Sequence, residues 1–435
     1  MKFNHGFIVK VSFISALGGY LFGFDFAVIA GALPFLQQRF HLDPTWEGFA
    51  TGSLALGAII GCLTAGSVAS RYGRRKGLLL AATIFGLSSL AMAFAPGRIL
   101  FVLARFMAGV GVGMASMLSP MYIAEISPAK YRGTMVSINQ LTVVIGILLT
   151  NLINYTLRDA GPDAWRWMFG LGAIPSALFL FGAYYLPESP RWLLQKGQDQ
   201  AAEKVLAKIG SIEYVQNSLT QIKQSLTQKV AGANTNSLWQ KAFWPIVLVG
   251  ISLAAFQQLC GINTVFNYAP KLFESIGASK DDQLLQTVFI GGVNLVFTLL
   301  AMIFVDKIGR KPLMLIGAGG LAILYLLIVQ LLAAGSAAVS WLLLSAIGIY
   351  AMTLAPVTWV LIAEIFPPAI RERAMVVSIV GLWAAYFILV FSFPVLFEQL
   401  KDHTFYIYAA ICGLGFFFIL FKVKETKGKT LEEMR

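Results

Sequence analysis

Charge is scarce in this sequence. Charged residues make up 12% of its 435 residues, against about 25% in soluble domains. Cysteine and histidine are also rare, with three of each, and neither shows a Cys-x-x-Cys pair or a spacing typical of metal ligands. This composition argues against a soluble enzyme, a disulfide-knit secreted fold and a disordered chain. The sequence also lacks a P-loop and a GxSxG elbow. We expect no metal, because no metal-ligand spacing is present, and no cofactor.

What the sequence has instead is apolar residues, which account for 57% of it and give a mean hydropathy of +0.74. Runs of about 20 apolar residues indicate transmembrane helices. Gly109-Val-Gly-Val-Gly113 lies inside one such run, where GxxxG spacing indicates close helix packing rather than nucleotide binding. We predict an all-α membrane protein with twelve transmembrane helices, at residues 8–33, 48–69, 77–96, 100–121, 135–156, 166–186, 243–268, 284–304, 312–334, 340–363, 374–397 and 404–421.

The net charge of +12 is unevenly distributed along the chain. With twelve spans both termini lie on one side of the membrane, and 25 of the 33 Lys and Arg residues fall on that side. Cytoplasmic loops carry such an excess. The charge therefore predicts a multi-pass cell-membrane protein with both termini in the cytoplasm, and it requires no nucleic-acid partner.

The sequence also repeats itself. Three motifs recur at offsets of 236, 239 and 237 residues: Arg71-Tyr-Gly-Arg-Arg-Lys76 as Lys307-Ile-Gly-Arg-Lys311, Ala124-Glu-Ile-Ser-Pro as Ala363-Glu-Ile-Phe-Pro, and Glu188-Ser-Pro-Arg as Glu425-Thr-Lys-Gly. Two parallel six-helix repeats with a substrate site between them are typical of rocking transporters. We predict two pseudo-symmetric six-helix bundles, a cytoplasmic helical linker and a cytoplasmic tail, at residues 1–189, 243–421, 190–242 and 422–435.

Charged residues cluster at the span ends that carry these motifs. Acidic and basic members occur in both halves, so they can form ion pairs between helices that close a cytoplasmic gate. Each exposed pair contributes about 1 kcal/mol or less, but several can bias an equilibrium of a few kcal/mol. The alternative is that they only anchor helix ends and set topology. The predicted gate residues are Arg71, Arg75, Glu125, Arg132, Glu188, Arg191, Asp306, Arg310, Glu364 and Arg371.

Asp25 in the first span and Arg105 in the fourth are the clearest charges at bilayer depth. Ionisable side chains are costly there, so they face the protein interior and find a partner. We predict that these two residues contact each other, and that a conformational change which alters the contact loads or releases one proton. The alternative is a static ion pair that holds the two spans together.

The second half carries a cluster of polar residues in apolar surroundings, with no charge among them. Carboxamides donate and accept hydrogen bonds, which suits vicinal hydroxyl groups, and indole rings suit the C–H face of a sugar. Gly261 and Pro356 can interrupt helices near a midplane site. The alternative is that the amides join helices, at about 0.6–2 kcal/mol per hydrogen bond. The predicted binding residues are Gln257, Gln258, Asn263, Asn294, Trp359 and Trp383.

Six motifs that span the chain resemble those of the sugar porter family of the major facilitator superfamily, especially the bacterial proton-coupled xylose and glucose symporters. They are Gly66-x3-Ser70-Arg-x-Gly-Arg-Arg, Tyr122-Ile-Ala-Glu-Ile-Ser-Pro-Ala-Lys-Tyr-Arg-Gly133, Pro187-Glu-Ser-Pro-Arg-Trp-Leu193, Gln257-Gln-x2-Gly-x-Asn263, Asp306-Lys-x-Gly-Arg-Lys311 and Glu425-Thr-Lys-Gly-Lys-Thr-Leu-Glu-Glu433. The resemblance implies that Asp25 marks proton symport with Arg105 as its partner. It also implies that the polar cluster binds the sugar, with Phe22 nearby.

Three positions depart from the family pattern. Ile147 and Leu382 stand where related transporters have sugar-binding glutamines, and Asn267 stands where the family has a tyrosine. Fewer hydrogen-bonding groups imply weaker recognition of ordinary pentoses or hexoses. They also leave open a deoxy sugar, a polyol or an inositol as the substrate.

Together these features predict a proton-coupled monosaccharide symporter that works by alternating access, as a monomer, in the membrane of a bacterium. A sugar uniporter and a proton-coupled polyol or inositol carrier are the alternatives within transport. A sugar sensor lacks room for an output domain, and a membrane enzyme lacks a candidate nucleophile or metal site. Alkalinisation of the medium on addition of sugar is expected of the symporter alone.

Overall fold

The computed structural model describes residues 3–128, 130–231, 240, 243–367 and 370–427. Within these ranges the backbone is helical almost throughout, and the one β pairing is an isolated bridge between Phe3 and Gly210. Residues 232–239, 241–242 and 428–435 of the predicted linker and tail lie outside these ranges. The all-α prediction is confirmed.

Three of the predicted spans are broken into two helices each. The first half contains α1 (His5–Phe40), α2 (Pro44–Tyr72), α3 (Arg74–Ala93), α4 (Arg98–Ile126), α5 (Arg132–Thr156), α6 (Ala164–Gly170) and α7 (Ala173–Tyr184). The linker contributes α8 (Pro190–Gln195), α9 (Asp199–Ile209) and α10 (Ile212–Ala231). The second half contains α11 (Trp244–Leu259), α12 (Ile262–Glu274), α13 (Lys280–Ile308), α14 (Arg310–Ala333), α15 (Val339–Met352), α16 (Leu354–Glu364), α17 (Arg371–Leu400) and α18 (Thr404–Lys422).

Eleven described segments are long and apolar enough to cross a membrane. The last of them, Arg373–Lys422, has 50 residues and contains both α17 and α18, separated by a 3-10 turn at Lys401–His403. Twelve crossings result, as the sequence predicts. In the first half α1 packs on α5 and α2 packs on α4, while in the second half α11 packs on α17 and α14 packs on α18.

Two of the broken spans are interrupted at or near a residue that disfavours a continuous helix. Gly261, between α11 and α12, has a φ of 89°, a left-handed conformation that only glycine adopts readily. Thr353 separates α15 from α16, three residues before Pro356. Proline lacks the N–H that would bond the carbonyl oxygen of Met352. Both breaks therefore lie where the sequence predicts them.

The glycine run of α4 packs directly on α2. A Cβ at Gly109 would overlap the backbone carbonyl of Leu54, and a Cβ at Gly113 would overlap that of Ala58. The two backbones touch because neither position carries a side chain. The run therefore serves helix packing, as its spacing predicts.

The two halves meet closely at one end of the molecule. We call this the far end, and the opposite end, which carries the N-terminus and the linker helices, the linker end. At the far end α2 packs on α17 and α5 packs on α13. A Cβ at Gly48 would overlap the Phe391 carbonyl, and Asn151 Nδ2 donates to the Thr287 carbonyl oxygen at 2.7 Å. Backbone-level contacts thus hold the halves together at the far end.

Candidate functional site

Asp25 and Arg105 form a buried ion pair between α1 and α4. Arg105 Nη1 lies 3.4 Å from Asp25 Oδ1, and Arg105 Nη2 donates to the Asp25 backbone carbonyl oxygen at 3.3 Å. Neither side chain is more than 1% exposed. The contact predicted from the sequence is therefore present, whereas its role in proton coupling stays a prediction.

This ion pair leaves two of its polar atoms without partners. Asp25 Oδ2 and Arg105 Nε make no hydrogen bond among the described residues. The Arg105 guanidinium lies over the Phe169 ring, 5.7 Å from its centroid. A buried pair is well compensated for lost hydration only when its remaining polar atoms are also hydrogen-bonded. The free oxygen of Asp25 is thus a place where a proton can be accepted without breaking another hydrogen bond.

Close helix packing fixes α1 around Asp25. A Cβ at Gly23 would overlap the Val143 carbonyl of α5, and a Cβ at Gly146 would lie 2.6 Å from the Tyr20 carbonyl oxygen. Two residues beyond Asp25, the backbone carbonyl oxygen of Ala27 accepts a hydrogen bond from Asn154 Nδ2 of α5 at 3.2 Å. These contacts leave the carboxylate facing the bundle interior, where Arg105 meets it.

Five polar residues of the second half are linked in a row by hydrogen bonds, in which the link between Asn263 and Asn267 uses the backbone carbonyl of Asn263. We call them the amide–tyrosine chain, and in order they are Gln257, Gln258, Asn263, Asn267 and Tyr386. Gln258 Nε2 donates to Gln257 Oε1 at 3.2 Å, and Asn263 Nδ2 donates to Gln258 Oε1. Asn267 Nδ2 donates to the Asn263 carbonyl oxygen at 2.7 Å, and the Tyr386 hydroxyl donates to Asn267 Oδ1 at 3.2 Å.

The amide–tyrosine chain joins the two broken spans of the second half, α11–α12 and α15–α16, to α17. Gln257 Nε2 donates to the Ala355 carbonyl oxygen at 3.2 Å, just beyond the break that separates α15 from α16. Gln257 and Gln258 precede the break at Gly261, whereas Asn263 and Asn267 follow it. All five side chains are buried. The hydroxyl groups of a polyol can replace these hydrogen bonds between neutral side chains, because carboxamides both donate and accept.

Aromatic rings connect this chain to α1. The Phe22 ring packs edge-on against Trp383 at 5.6 Å, and Trp383 packs against Tyr386 at 5.8 Å. Phe26, the neighbour of Asp25, packs at 5.7 Å against both Phe266 and Tyr386. The predicted binding residues Phe22 and Trp383 thus lie at the contact between the two halves, close to both the ion pair and the amides.

Two of the predicted binding residues, Asn294 and Trp359, do not belong to the amide–tyrosine chain. Asn294 is buried on α13, at 5% exposure. Trp359 on α16 is 38% exposed, unlike Trp383 at 3%, although its helix accepts the Gln257 hydrogen bond. The positions that depart from the family pattern are buried and apolar, at 6% exposure for Ile147 and 3% for Leu382.

The charged cluster at the linker end of the first half centres on Arg74. Its Nε and Nη2 each donate to a Glu125 carboxylate oxygen at 2.9 Å. The Glu188 carboxylate accepts from the backbone N–H of Arg74 at 2.8 Å and from that of Arg75. Glu188 therefore caps the start of α3, where the exposed N–H groups and the helix dipole favour an anion.

The second half repeats this cluster with small changes. Arg310 Nη2 donates to Glu364 Oε1 at 3.3 Å, and Glu425 accepts from the backbone N–H groups of Arg310 and Lys311 at 3.0 and 2.9 Å. Thr426 donates to the other oxygen of Glu364 at 2.6 Å. Burial raises the pKa of Glu425, but four backbone hydrogen bonds outweigh it and hold the pKa below its ordinary value.

Most other predicted gate residues bind within their own half. Arg132 Nε donates to the Ala124 carbonyl oxygen at 3.1 Å, and Arg371 donates to that of Phe366 at 3.1 and 3.2 Å. Arg71 is exposed beside Tyr72, 5.3 Å from its ring centroid. Arg75 donates to the Tyr184 carbonyl oxygen, Arg191 lies in α8, and the side chain of Asp306 lies outside the described part of the structure.

Several residues in these contacts were missed by the sequence interpretation. Arg74 and Glu425 belong to the repeated motifs, and the offsets that pair Gly73 with Gly309 and Glu188 with Glu425 were sufficient to identify them. Two ion pairs between the halves had no such signal. At the far end Lys271 binds Glu47 at 2.9 Å, and Arg158 binds Asp281 at 2.9 Å.

Comparisons with known proteins place this geometry in a group of transporters. The family model described as "Sugar (and other) transporter" matches residues 11–435. A putative metabolite transport protein of Bacillus subtilis (strain 168) is 39% identical, over 97% of this chain and 93% of its own. The D-xylose-proton symporter of Escherichia coli (strain K12) is 37% identical, over 100% and 96%. A partially occluded inward-open structure of the Escherichia coli xylose transporter superposes with a TM-score of 0.88, at 36% identity, and covers 98% of this chain and 100% of that one.

Proposed function

Because the chain belongs to the family of sugar and other transporters, we propose that it imports a small neutral monosaccharide together with a proton. Family membership confirms the prediction of a transporter rather than an enzyme. The observation that carries the proposal is the adjacency of two different sites. A buried acid with a free oxygen lies beside Arg105, and aromatic rings connect it to an uncharged chain of hydrogen-bonding side chains.

Asp25 is the proton carrier of this proposal. Its carboxylate gains one proton when the contact with Arg105 weakens, and it loses the proton when the contact is restored. The membrane potential contributes about 2.3 kcal/mol per charge per 100 mV. One proton per sugar can therefore drive uphill accumulation of the substrate.

The sugar binds at Gln257, Gln258 and Asn263 of the amide–tyrosine chain, with Asn294, Trp359 and Trp383 as further contacts and Phe22 on the opposing half. The absence of charge among these predicted residues favours a neutral ligand. D-xylose is the first candidate, because it is the substrate in the name of a close relative. A polyol or inositol is the alternative, because the apolar side chains of Ile147 and Leu382 remove hydrogen-bonding groups from the site.

The halves rock about this site to expose it alternately. In the conformation described, contacts between the halves close the far end. Each linker-end cluster binds within its own half, so the linker end opens without breaking the Arg74–Glu125 or Arg310–Glu364 pair. Closure of the linker end brings the two clusters together, as the predicted gate requires.

We place the linker end in the cytoplasm, with both termini, because this end carries the excess of Lys and Arg. The bacterial relatives favour an inner-membrane location. Bundles at residues 1–189 and 243–421, a linker at 190–242 and a tail at 422–435 form one functional monomer.

The test is transport by the purified protein in proteoliposomes with an imposed proton gradient. We expect D-xylose to accumulate uphill and the external medium to become alkaline. Asp25→Asn should abolish uphill accumulation and spare counterflow exchange, because exchange needs no net proton movement. Asp163→Asn is the matched control, because Asp163 pairs with Arg166 at the surface, with 57% of its side chain exposed.

Each outcome decides between named alternatives. Accumulation that survives Asp25→Asn contradicts the role of Asp25. Uptake without alkalinisation in the unmodified protein indicates a uniporter. A panel that also contains D-glucose, a deoxy sugar, sorbitol and myo-inositol separates monosaccharide from polyol transport by the size of the alkalinisation.

A further inference from the structure

Tyr386 lies between the two sites of the proposed symporter. Its hydroxyl forms the last bond of the amide–tyrosine chain, to Asn267 on α12. Its ring packs 5.7 Å from that of Phe26, the residue next to Asp25. Tyr386 is 1% exposed and lies within electrostatic range of both Arg105 and Asp25. One side chain therefore bonds to the amides and packs on the residue next to the ion pair.

Asn267 has no freedom to turn while this bond exists. Its Oδ1 accepts from Tyr386, and its Nδ2 donates to the Asn263 carbonyl oxygen at 2.7 Å. The side chain of the same Asn263 donates to Gln258 Oε1. A sugar hydroxyl that takes over this side-chain bond displaces Asn263, and with it the backbone carbonyl oxygen that holds Asn267 and, through it, the Tyr386 hydroxyl.

A change at Asp25 can also affect the amides through the same row of hydrogen bonds. Protonation of Asp25 removes a negative charge and leaves the Arg105 guanidinium without its counter-ion. A phenol hydroxyl can accept as well as donate a hydrogen bond, so its orientation responds to this change in charge. A reoriented hydroxyl weakens its bond to Asn267 and releases the amides for the sugar.

We propose that Tyr386 and Asn267 are positioning residues that couple proton binding at Asp25 to sugar binding at the amides. The proposal rests on the proposed function, because it assumes proton–sugar symport. Coupling is reciprocal: the factor by which a proton changes sugar affinity equals the factor by which sugar changes proton affinity. Loss of the link therefore reduces this factor without removing either site.

Other ionisable groups lie on the described elements that pack around Tyr386 and Asp25. Away from the helix ends they are Tyr20 on α1, Cys62 on α2, Arg105 on α4, Cys260 at the break between α11 and α12, Tyr268 on α12, and Tyr408 and Cys412 on α18. Toward the helix ends they include Glu47, Arg71, Lys271, Glu274, Glu364 and Arg371. Cys62 donates to the Gly113 carbonyl oxygen and Tyr268 donates to that of Val390. These two groups are held by bonds outside the amide–tyrosine chain, which leaves Asp25 as the acid that Tyr386 senses.

The experiment measures binding of radiolabelled D-xylose and D-glucose to the purified full-length protein between pH 5.5 and pH 8.5. We expect the affinity of the unmodified protein to change by about fivefold or more across this range, as coupling energies between sites commonly give. Tyr386→Phe should reduce the change to less than about twofold and retain binding. Asn267→Ala should do the same, and the double variant should add nothing further, because both residues act in one link.

Tyr325→Phe is the matched control, because Tyr325 is equally buried in the second half and its hydroxyl has no partner among the described residues. It should keep the full pH dependence. A Tyr386→Phe protein with undiminished pH dependence overturns the coupling role and leaves the symporter intact. Sugar affinity that is independent of pH in the unmodified protein, or binding of neither sugar, overturns the proposed function itself. Thermal unfolding of each variant separates loss of coupling from loss of fold.

Discussion

Lys271 on α12 binds Glu47 on α2 across the two halves at the far end. Its Nζ lies 2.9 and 3.1 Å from the two carboxylate oxygens. The Glu47 side chain is only 2% exposed, whereas that of Lys271 is 26% exposed. A conformation that opens the far end must separate α2 from α12, and this separation breaks the pair. The pair therefore favours the conformation described.

Lys271→Met should shift the protein toward far-end opening. The substitution leaves the Glu47 carboxylate buried without its partner, which typically costs about 2–5 kcal/mol. Glu47→Gln should have a smaller effect, because it leaves no buried charge. The measurement is the rate at which a membrane-impermeant maleimide labels Gln37→Cys, a position beside Lys271 and Tyr268 at the far end.

The control for this shift is Glu274→Gln, which removes an exposed acid from the same helix. It should leave the labelling rate unchanged. The double variant Glu47→Gln with Lys271→Met should label more slowly than Lys271→Met alone, because no unpaired charge remains. Equal labelling of Lys271→Met and the unmodified protein would show that the pair does not hold the far end closed.

Arg158 and Asp281 form the second ion pair across the halves, but we expect it to matter little. Its side chains are 25% and 67% exposed. The hydrogen bond to Asp281 raises the pKa of Arg158, which is charged at every physiological pH regardless. Exposed pairs are screened by solvent and salt. Asp281→Asn should change the Gln37→Cys labelling rate by less than about twofold, and the change should vanish in 1 M salt.

These pairs show where prediction from the sequence ends. Apolar runs are a local property and predict the twelve spans, while two opposite charges at bilayer depth in one half predict the Asp25–Arg105 contact. Glu47 and Lys271 are 224 positions apart, belong to no repeated motif and lie near helix ends. Their contact depends on how the halves pack, which no periodicity reports.

Arg74 shows a narrower limit. Three basic residues, Arg71, Arg74 and Arg75, surround Gly73, and the sequence interpretation selected the two that do not bind Glu125 as its gate residues. The direction of each side chain depends on the turn at Gly73, where φ is 100°. Only the correspondence with Arg310 in the second half distinguishes Arg74 from its neighbours.

Gly73→Ala should destabilise the first half. Gly73 has a φ of 100° and a ψ of 164°, a backbone conformation essentially restricted to glycine that costs another residue about 1–3 kcal/mol, and a Cβ there would overlap the Glu188 carboxylate that caps α3. Gly66→Ala is the matched control, because Gly66 lies within α2 with open space around it and alanine favours a helix. Thermal unfolding in detergent should show a lower Tm for Gly73→Ala and an unchanged or higher Tm for Gly66→Ala. A Tm that is equal in the two variants would contradict the strain and capping assigned to Gly73.

Glu425 should make the stability of the second half depend on pH in the acid range. Because its pKa in the folded protein is lowered from the ordinary value of 4.5, folding is favoured by its ionised form. This contribution is complete above the unfolded pKa and is lost as the pH falls through the folded value. The Tm difference between the unmodified protein and Glu425→Gln should therefore be constant from pH 7 to about pH 5 and shrink below about pH 4. The control is Glu398→Gln, which replaces an exposed acid near the far end; its Tm difference from the unmodified protein should not shrink in this way. A Tm difference for Glu425→Gln that persists to pH 3 would show that the carboxylate does not cap α14 by its charge.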